Sequence, residues 1–305
     1  MKVGISELFT GEGKRTMQFL RDASMLIEEV GFDAIWFPEH VVMFPAYTSQ
    51  YPYGTMGQTE VERLRGVYDP FVGLAAIAMV TKHVRLGTYV CVIAQRNPIV
   101  MARDAATVDG LSGGRFDFGV GVGWSAEEYA ALGVPFERRG ERTDEYLAAM
   151  KVLWSDDEVT SFSGEFISFD PLMAFPKPVQ RPHPPIVVGG NSAATIRRIV
   201  AHGDGWAGYN LELAEVEAFI ERLDKALTGA GRSLSEIQLR VGRRAKGKTE
   251  KDWEDDARYL EGAAKLGLHE VVVSPRMPDD GYEAMTRRYA EIVGLIPHTK
   301  RTPSA

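Results

Sequence analysis

The chain has 305 residues, of which 45% are hydrophobic and 25% charged, a composition typical of folded globular proteins and too apolar for a disordered one. Its formal net charge of -7 argues against nucleic acid as the main partner, because phosphate binding needs a positive surface. The single cysteine, Cys91, excludes an intrachain disulfide framework, and no apolar run approaches the roughly 18 residues of a membrane span, so we expect a cytoplasmic protein.

Short apolar runs alternate along the chain with longer segments of helical periodicity. Most of the short runs lack polar alternation, which is typical of strands buried on both faces of a parallel sheet. In chain order the predicted strands are Val3–Ser6, Ala34–Phe37, Val84–Val92, Phe116–Val120, Ile186–Val188, Gly205–Gly208, Ile237–Val241 and Glu270–Val273. The predicted helices that follow them are Thr16–Val30, Phe71–Thr81, Pro98–Leu111, Thr143–Trp154, Ala193–Ala201, Leu213–Thr228, Trp253–Leu266 and Gly281–Val293.

This alternation predicts an α/β fold, with a (β/α)8 TIM barrel as the leading architecture and a doubly wound parallel sheet as the alternative. Two segments interrupt the repeat, Val41–Tyr68 after the second strand and Glu158–Pro185 after the fourth, and we interpret both as inserted loops. We predict one domain over residues 1–298 and a disordered tail over residues 299–305.

The stretch WFPEH, Trp36–His40, comes at the end of the second predicted strand. In a barrel, catalytic side chains gather at the carboxyl ends of the strands. Pro38 should end the strand and leave Glu39 and His40 in the mouth. A histidine there can transfer a proton near neutral pH, although a surface histidine or a structural carboxylate–imidazole pair gives the same pattern.

The run GRFDFGVGVGW places Gly119, Gly121 and Gly123 at the end of the fourth predicted strand. It is not the dinucleotide fingerprint, because the second gap between glycines is one residue instead of two. Alternating glycines allow a flat or phosphorylated ligand to approach a strand end closely, and a glycine-rich turn without a ligand is the alternative.

The run PPIVVGGNSAATIRR joins a buried strand to a helix through Gly189 and Gly190. Asn191 and Ser192 follow at the position of a helix N-cap. Free backbone N–H groups at such a helix start bind anions, so the segment predicts a phosphate site. Ordinary capping also explains these residues, because Asn and Ser are favoured there without any ligand.

Three arginines, Arg138, Arg139 and Arg142, lie just before a predicted helix. In an acidic chain they either hold an anionic group or form surface ion pairs with neighbouring carboxylates. The thiol of Cys91 is expected to be buried, and the histidines other than His40 show no spacing suited to a metal. The aromatic residues of the first insertion indicate either an apolar or ring-bearing substrate or loop packing: Phe44, Tyr47, Tyr51, Tyr53 and Tyr68.

Taken together, WFPEH, LSGGRFDFGVGVGW, PFERRGERTDEYL, PHPPIVVGGNS and HGDGW resemble the bacterial luciferase-like superfamily of flavin and deazaflavin oxidoreductases. The motifs occur in the expected order over about residues 1–275 and look most like the actinobacterial branch that depends on coenzyme F-420. Asn97 and Gln95 depart from the residues that many relatives carry there. The resemblance implies a TIM barrel with a cofactor ring in its carboxyl-end mouth, and a homodimer.

The resemblance also implies roles for individual residues. His40 would exchange a proton beside the ring, with Glu39 tuning it, and the end of the third strand would support the ring, often through a non-proline cis peptide. Gly189–Ser192 would bind the phosphate with help from Arg139. The implied cofactor-binding residues are Val90, Cys91, Val92, Gly121, Gly123, Trp124, Arg139, Gly189, Gly190, Asn191 and Ser192.

From this resemblance we expect an oxidoreductase that transfers a hydride between coenzyme F-420, a deazaflavin, and a small organic substrate. The alternative is an FMN-dependent monooxygenase that consumes oxygen and takes reduced flavin from a partner reductase. The same phosphate turn serves both cofactors, so the sequence separates the two poorly. A non-catalytic binding protein on the same barrel is a more remote alternative.

Overall fold

Eight parallel strands close into a barrel in a computed structural model, which describes residues 1–6, 16–54, 68–244, 247, 249–275 and 281–301. The strands are β1 Lys2–Ser6, β2 Ala34–Phe37, β3 Arg85–Thr88, β4 Cys91–Val92, β5 Phe116–Gly121, β6 Thr160–Ser163, β7 Ser168–Leu172, β8 Ile186–Gly189, β9 Gly205–Tyr209, β10 Gln238–Arg244 and β11 Glu270–Ser274. The helices are α1 Met17–Val30, α2 Pro70–Ala78, α3 Pro98–Ser112, α4 Ala126–Ala131, α5 Arg139–Trp154, α6 Ala193–His202, α7 Leu213–Gly229, α8 Glu250–Lys265 and α9 Tyr282–Ile292.

The barrel closes because its first and last strands pair and its third strand pairs with β5. The neighbours run β3, β2, β1, β11, β10, β9, β8 and β5, and Leu86 of β3 lies opposite Phe116 of β5. On the other side of β1, Val3 lies opposite Val271 of β11. Closure confirms the predicted (β/α)8 barrel and excludes the doubly wound alternative, whose sheet is open.

The third predicted strand is broken in the structure. The sequence predicts an unbroken strand over Val84–Val92, but β3 ends at Thr88 and the two-residue β4 continues beside β5. The Tyr89–Val90 peptide bond between them is cis, and a 3-10 turn at Ile93–Gln95 follows. The break changes which side chains of this segment face the barrel mouth.

Toward the amino ends of the strands, the barrel interior holds a buried ionic layer. Arg240 Nε donates to Glu270 Oε2 at 2.9 Å, and the same guanidinium lies 3.4 Å from Asp117. Trp36 Nε1 donates to the other oxygen of Glu270 at 2.7 Å. Burial raises the pKa of Glu270, and Arg240 opposes that shift. The opposite, carboxyl end of the barrel is therefore the end that remains open to a ligand.

The segments outside the barrel repeat are described only in part. In the predicted insertion after α5, β6 and β7 form an antiparallel hairpin, and the other predicted insertion is described over residues 41–54 and at Tyr68, with residues 55–67 outside the described ranges. In the predicted tail, a 3-10 turn at His298–Lys300 precedes Arg301, which donates to Asp33, and residues 302–305 lie outside those ranges.

Within the described ranges, no helix has both the length and the apolar character that crossing a bilayer requires.

Candidate active site

The carboxyl ends of the barrel strands open into a cavity of about 760 Å³. All predicted site residues except Cys91 line it. These lining residues are Glu39, His40, Val90, Val92, Gly121, Gly123, Trp124, Arg139, Gly189, Gly190, Asn191 and Ser192. The barrel thus gathers, in one cavity, residues that are spread over half of the chain.

Cys91 does not belong to the cavity lining, which corrects its assignment to the cofactor site. Its side chain is fully buried in the main core, with Sγ 3.8 Å from Met101 Sδ. Side chains alternate along an extended segment, so Val90 and Val92 face the cavity and the residue between them faces away. Burial raises the pKa of the Cys91 thiol well above its ordinary value, so the thiol stays protonated as an apolar packing group.

His40 is paired with a carboxylate, but the carboxylate is Glu128. His40 Nδ1 lies 3.1 Å from Glu128 Oε2, and the backbone N–H of Val41 donates to Glu128 Oε1 at 2.7 Å. Glu128 comes from α4 and is almost fully buried. In the sequence its only signal is an acidic residue in the first turn of a helix, which suits the helix dipole without indicating a partner.

Glu39 forms a hydrogen bond with the backbone of the neighbouring strand, and its partner is therefore not the imidazole of His40. Its buried carboxylate accepts hydrogen bonds from Val92 N at 2.7 Å and from Arg96 Nε at 2.7 Å. Arg96 also pairs with Asp69 at 2.7 Å. The predicted role of Glu39 in tuning His40 is therefore replaced by a role in holding the Val90–Val92 segment against the end of β2.

Val90 sits between two glycines whose lack of a side chain makes room for it. A Cβ on Gly121 would lie 2.5 Å from Val90 Cγ2, and one on Gly189 would lie 2.7 Å from Val90 Cγ1. Such distances are far below van der Waals contact, so neither position accepts another residue without moving Val90. The glycines that the sequence places at the ends of β5 and β8 therefore shape the floor of the cavity.

The predicted phosphate turn follows β8 at the edge of the cavity. Gly190 has φ 119° and donates to Ala207 O at 3.0 Å, and a Cβ on it would lie 2.7 Å from Thr195 Oγ1. Ser192 caps α6 by accepting from Thr195 N at 3.2 Å. The side chain of Asn191 is used structurally, because it bonds both backbone polar groups of Tyr209. The first turn of α6 borders the cavity and offers N–H groups that have no acceptor within the helix.

Only one of the three predicted arginines reaches the cavity. Arg139 Nε donates to Gly123 O at 3.1 Å, and its guanidinium lies 3.8 Å from the centroid of the Phe136 ring. Arg138 forms exposed ion pairs with carboxylates of α5 and the hairpin, and Arg142 donates to backbone carbonyls. The ion-pair interpretation is therefore right for Arg138. A second lining arginine, Arg198, was not predicted, and it is paired with Asp144 at 2.5 Å.

An aromatic band, defined as Trp124, Tyr51, Tyr53 and Tyr209, runs along the cavity. Consecutive ring centroids are 5.1 Å apart for Trp124 and Tyr51, 5.6 Å for Tyr51 and Tyr53, and 5.1 Å for Tyr53 and Tyr209. The His40 ring lies 6.0 Å from Trp124 at one end of the band. Of the aromatic residues of the first insertion, only Tyr51 and Tyr53 line the cavity.

Comparison with known proteins shows the family of this chain. The family described as luciferase-like monooxygenase matches residues 1–290. The chain belongs to this family. An uncharacterised protein of Mycobacterium tuberculosis is 38% identical over 185 residues, 60% of this chain and 65% of that protein. The match therefore spans less than two thirds of the relative's own length.

The chain is also similar to one protein named as flavin-dependent and to one solved structure named as F420-dependent. The oxygenase component of a flavin-dependent trigonelline monooxygenase from Acinetobacter baylyi is 33% identical over 172 residues, 56% of this chain and 47% of that protein. An F420-dependent secondary alcohol dehydrogenase, solved with an F420–acetone adduct, superposes with a TM-score of 0.76 over 96% of this chain and 99% of its own, at 18% identity. The second likeness shows the shared fold, and neither likeness decides the cofactor.

In this luciferase-like protein, Glu127 holds the loop that carries two members of the aromatic band, Tyr51 and Tyr53. Its Oε1 accepts from Thr48 N at 2.6 Å, Thr48 Oγ1 at 2.7 Å and Ser49 N at 2.9 Å. Ser49 Oγ in turn accepts from Ala126 N at 2.9 Å. Desolvation by itself raises the pKa of Glu127, but the hydrogen bonds from Thr48 and Ser49 outweigh it and hold the pKa well below its usual value.

We predict that this loop stays in place from neutral pH down to mildly acidic pH. A carboxyl with a depressed pKa contributes stability above its unfolded-state pKa, about 4.3 for Glu, and loses it as the pH falls through the lower folded value. The backbone N–H groups of Thr48 and Ser49, which donate to Glu127, should therefore keep their protection from hydrogen exchange down to about pH 5 in the native protein. Glu127→Gln should lower the protection of these two N–H groups at every pH. A loop transition of the native protein between about pH 5 and 7 would contradict the assignment.

Proposed function

We propose that this chain is an oxidoreductase that uses coenzyme F-420 to transfer a hydride to or from a small organic substrate. The observation that carries the proposal is the His40–Glu128 pair in the wall of the cavity. A carbonyl that gains a hydride also needs a proton on its oxygen, and an alcohol that loses a hydride must give one up. The imidazole of His40 can donate or accept that proton, and it lies in the wall of a cavity that can hold the cofactor ring.

The residues around the cavity fit a flat, phosphorylated cofactor. Val90 packs against Gly121 and Gly189 and lines the cavity, which suits a ring lying against the start of β4. The first turn of α6 after Ser192 and the guanidinium of Arg139 would hold a phosphate. When bound, the deazaflavin supplies or accepts the hydride.

His40 would move the proton at Nε2. Nδ1 faces the carboxylate of Glu128, and an N–H on that atom is the tautomer that the carboxylate favours. Nε2 is then the basic nitrogen of the neutral ring, which accepts a proton from an alcohol. In the other direction the protonated ring donates from Nε2 to a carbonyl oxygen. Glu128 stabilises the charged ring in both directions.

An FMN-dependent monooxygenase is the second candidate, because the trigonelline monooxygenase component is 33% identical over the 172 residues that it shares with this chain. The phosphate turn and the Val90 floor serve FMN as well as F-420. In that case a partner reductase would have to supply the reduced flavin. The His40–Glu128 pair favours the first candidate, since it provides the proton that a hydride transfer to a carbonyl requires.

An anaerobic reaction separates the two candidates. The protein is mixed with reduced F-420 and a panel of aldehydes and ketones, and the return of the visible absorbance of oxidised F-420 is followed. The reverse reaction uses oxidised F-420 with the matching alcohols. We expect substrate-dependent turnover in at least one direction. A parallel aerobic reaction supplies reduced FMN in place of F-420, and substrate-dependent oxygen uptake there, with no reaction with F-420, would overturn the proposal.

The phosphate site makes a separate prediction for Arg139. Arg139→Met should weaken binding of phosphate-bearing cofactors about 10- to 100-fold, because a charge-assisted hydrogen bond contributes roughly 1.5–3 kcal/mol. Binding of riboflavin, which lacks the phosphate, should change little, and the FMN-to-riboflavin ratio of dissociation constants is the measured quantity. Arg138→Met is the matched control, since Arg138 is exposed and outside the cavity lining. Equal losses for FMN and riboflavin would place the phosphate elsewhere.

A further inference from the structure

We propose that the aromatic band selects ring-bearing substrates at this site and that Glu127 is the residue that positions it. The inference rests on the proposed function in one respect, because it takes this cavity as the substrate site. It adds the substrate class: cyclic, preferably aromatic, carbonyl compounds or the matching alcohols. Glu127 is a positioning residue here, since it does not itself line the cavity.

The first observation is that the band is continuous and begins next to the proton-transfer group. Trp124 contacts both His40 and Tyr51, and the band continues through Tyr53 to Tyr209 on β9. When the oxygen of a substrate is hydrogen-bonded to His40, the rest of the substrate therefore packs against the aromatic side chains of the band. Such a surface favours an apolar ring over a flexible chain, because a rigid ring gains the same contact area with less loss of conformational freedom.

The second observation is the orientation of the rings. Neighbouring planes in the band meet at 70° for Trp124 and Tyr51, 80° for Tyr51 and Tyr53, and 71° for Tyr53 and Tyr209. Because neighbouring rings pack edge to face, some rings of the band present a face to a ligand and others present an edge. An aromatic guest can therefore make an edge-to-face or offset-stacked contact with more than one member.

The third observation is that two members of the band are fixed before any ligand arrives. Tyr51 and Tyr53 belong to the loop that Glu127 holds through Thr48 and Ser49. Tyr47 in the same loop packs against Trp124, with ring centroids 4.9 Å apart. The loop is thus held by hydrogen bonds from its backbone to Glu127 and by packing of Tyr47 on Trp124. Its aromatic side chains are therefore fixed before a ligand binds, which lowers the entropic cost of binding.

The test uses three methyl ketones of equal carbon number: acetophenone, cyclohexyl methyl ketone and a straight-chain methyl ketone. Their dissociation constants are measured by the change in tryptophan fluorescence, with F-420 bound and without any cofactor. We expect acetophenone to bind about tenfold more tightly than the straight-chain ketone, with the cyclohexyl compound between them, because each aromatic contact contributes roughly a two- to tenfold gain. Equal affinities for the three ketones would overturn the inference.

Variants separate selection by the band from a general apolar effect. Tyr51→Leu keeps an apolar side chain but removes the ring and should abolish most of the preference for acetophenone. Tyr51→Phe keeps the ring and should retain that preference. Glu127→Gln retains all four aromatic side chains of the band and should reduce the preference by releasing the loop. An unchanged preference in Tyr51→Leu would overturn the role of the band, and an unchanged preference in Glu127→Gln would overturn the positioning role.

The binding readout keeps this inference separate from the proposed function. If the protein prefers acetophenone but neither binds nor turns over F-420, the band selects rings and the hydride-transfer proposal fails. If F-420 supports turnover but all three ketones bind alike, the hydride-transfer proposal stands and the substrate class fails. Circular dichroism of each variant confirms that a lost preference does not come from unfolding.

Discussion

Replacing His40 by alanine should lower kcat by about 10²- to 10⁴-fold while leaving the dissociation constant of the cofactor nearly unchanged. The large effect follows from the position of the imidazole: Nδ1 is held 3.1 Å from Glu128, so the ring is oriented before the substrate binds. Without the imidazole, water must serve as the proton donor or acceptor. Stopped-flow measurement of the hydride-transfer step, together with a cofactor titration, checks both parts of this prediction.

Glu128→Gln provides a second result for the same pair. The glutamine amide can still contact His40, but it no longer carries the charge that stabilises a protonated ring, so the loss in kcat should be smaller than in His40→Ala. The double variant should be no worse than His40→Ala alone, because the two residues act as a unit. Glu141→Gln is a suitable control, since Glu141 is an exposed carboxylate outside the cavity lining. If the loss in kcat of the double variant equals the product of the losses of the two single variants, the pairing is contradicted.

Glu39→Ala should destabilise the fold by about 3 kcal/mol, because removing one partner of a buried ion pair leaves the other charge without compensation. Glu39 is 2% exposed in its ion pair with Arg96. Arg96 is 25% exposed and keeps Asp69, which places the expected loss at the lower end of the usual range. Urea unfolding followed by circular dichroism measures this change.

The same substitution should weaken cofactor binding, because Glu39 also accepts from Val92 N beside the Val90 floor. Glu39→Gln retains an oxygen for that backbone N–H and should preserve more of the cofactor affinity than Glu39→Ala. Glu141→Ala removes an exposed partner of Arg138 and should leave the urea midpoint unchanged. If the urea midpoint of Glu39→Ala equals that of the native protein, the buried pair with Arg96 contributes no net stability.

The barrel itself was predictable because each of its strands is a short apolar run followed by a helical segment. The glycines at the ends of β5 and β8 were also informative, since a glycine at a strand end marks a close approach of some group. In the structure that group is, in part, the protein's own Val90, which lies against Gly121 and Gly189. The resemblance to the luciferase-like superfamily added the order in which these motifs surround the cavity.

The partners of the site residues were not predictable from local patterns. Glu128 lies 88 residues from His40, and Arg96 lies 57 residues from Glu39, so these contacts exist only after the barrel has closed. A sequence gives each carboxylate a place on a helix or strand but does not say which of two neighbouring carboxylates meets a given histidine. Proximity in the sequence therefore points to Glu39, whereas the closed barrel brings Glu128 to His40.

Local backbone conformation explains two other differences. The strand predicted through Cys91 is interrupted at Tyr89–Val90, and the restarted segment turns the thiol into the core. Arg138 has φ 55°, a left-handed conformation, immediately before α5 begins at Arg139. This turn separates neighbouring arginines, so that one faces surface carboxylates and the next faces the cavity. Neither conformation has a signal in the residue types alone.

A comparison of F-420 with FMN, each oxidised and reduced, tests the central claim most directly. Tryptophan fluorescence is followed during titration of the protein with each cofactor, since Trp124 lines the cavity. The proposed function predicts saturable binding of F-420 at micromolar concentration and much weaker binding of FMN in both redox states. Preferential binding of reduced FMN would contradict it and would identify the chain as the oxygenase that depends on a flavin reductase.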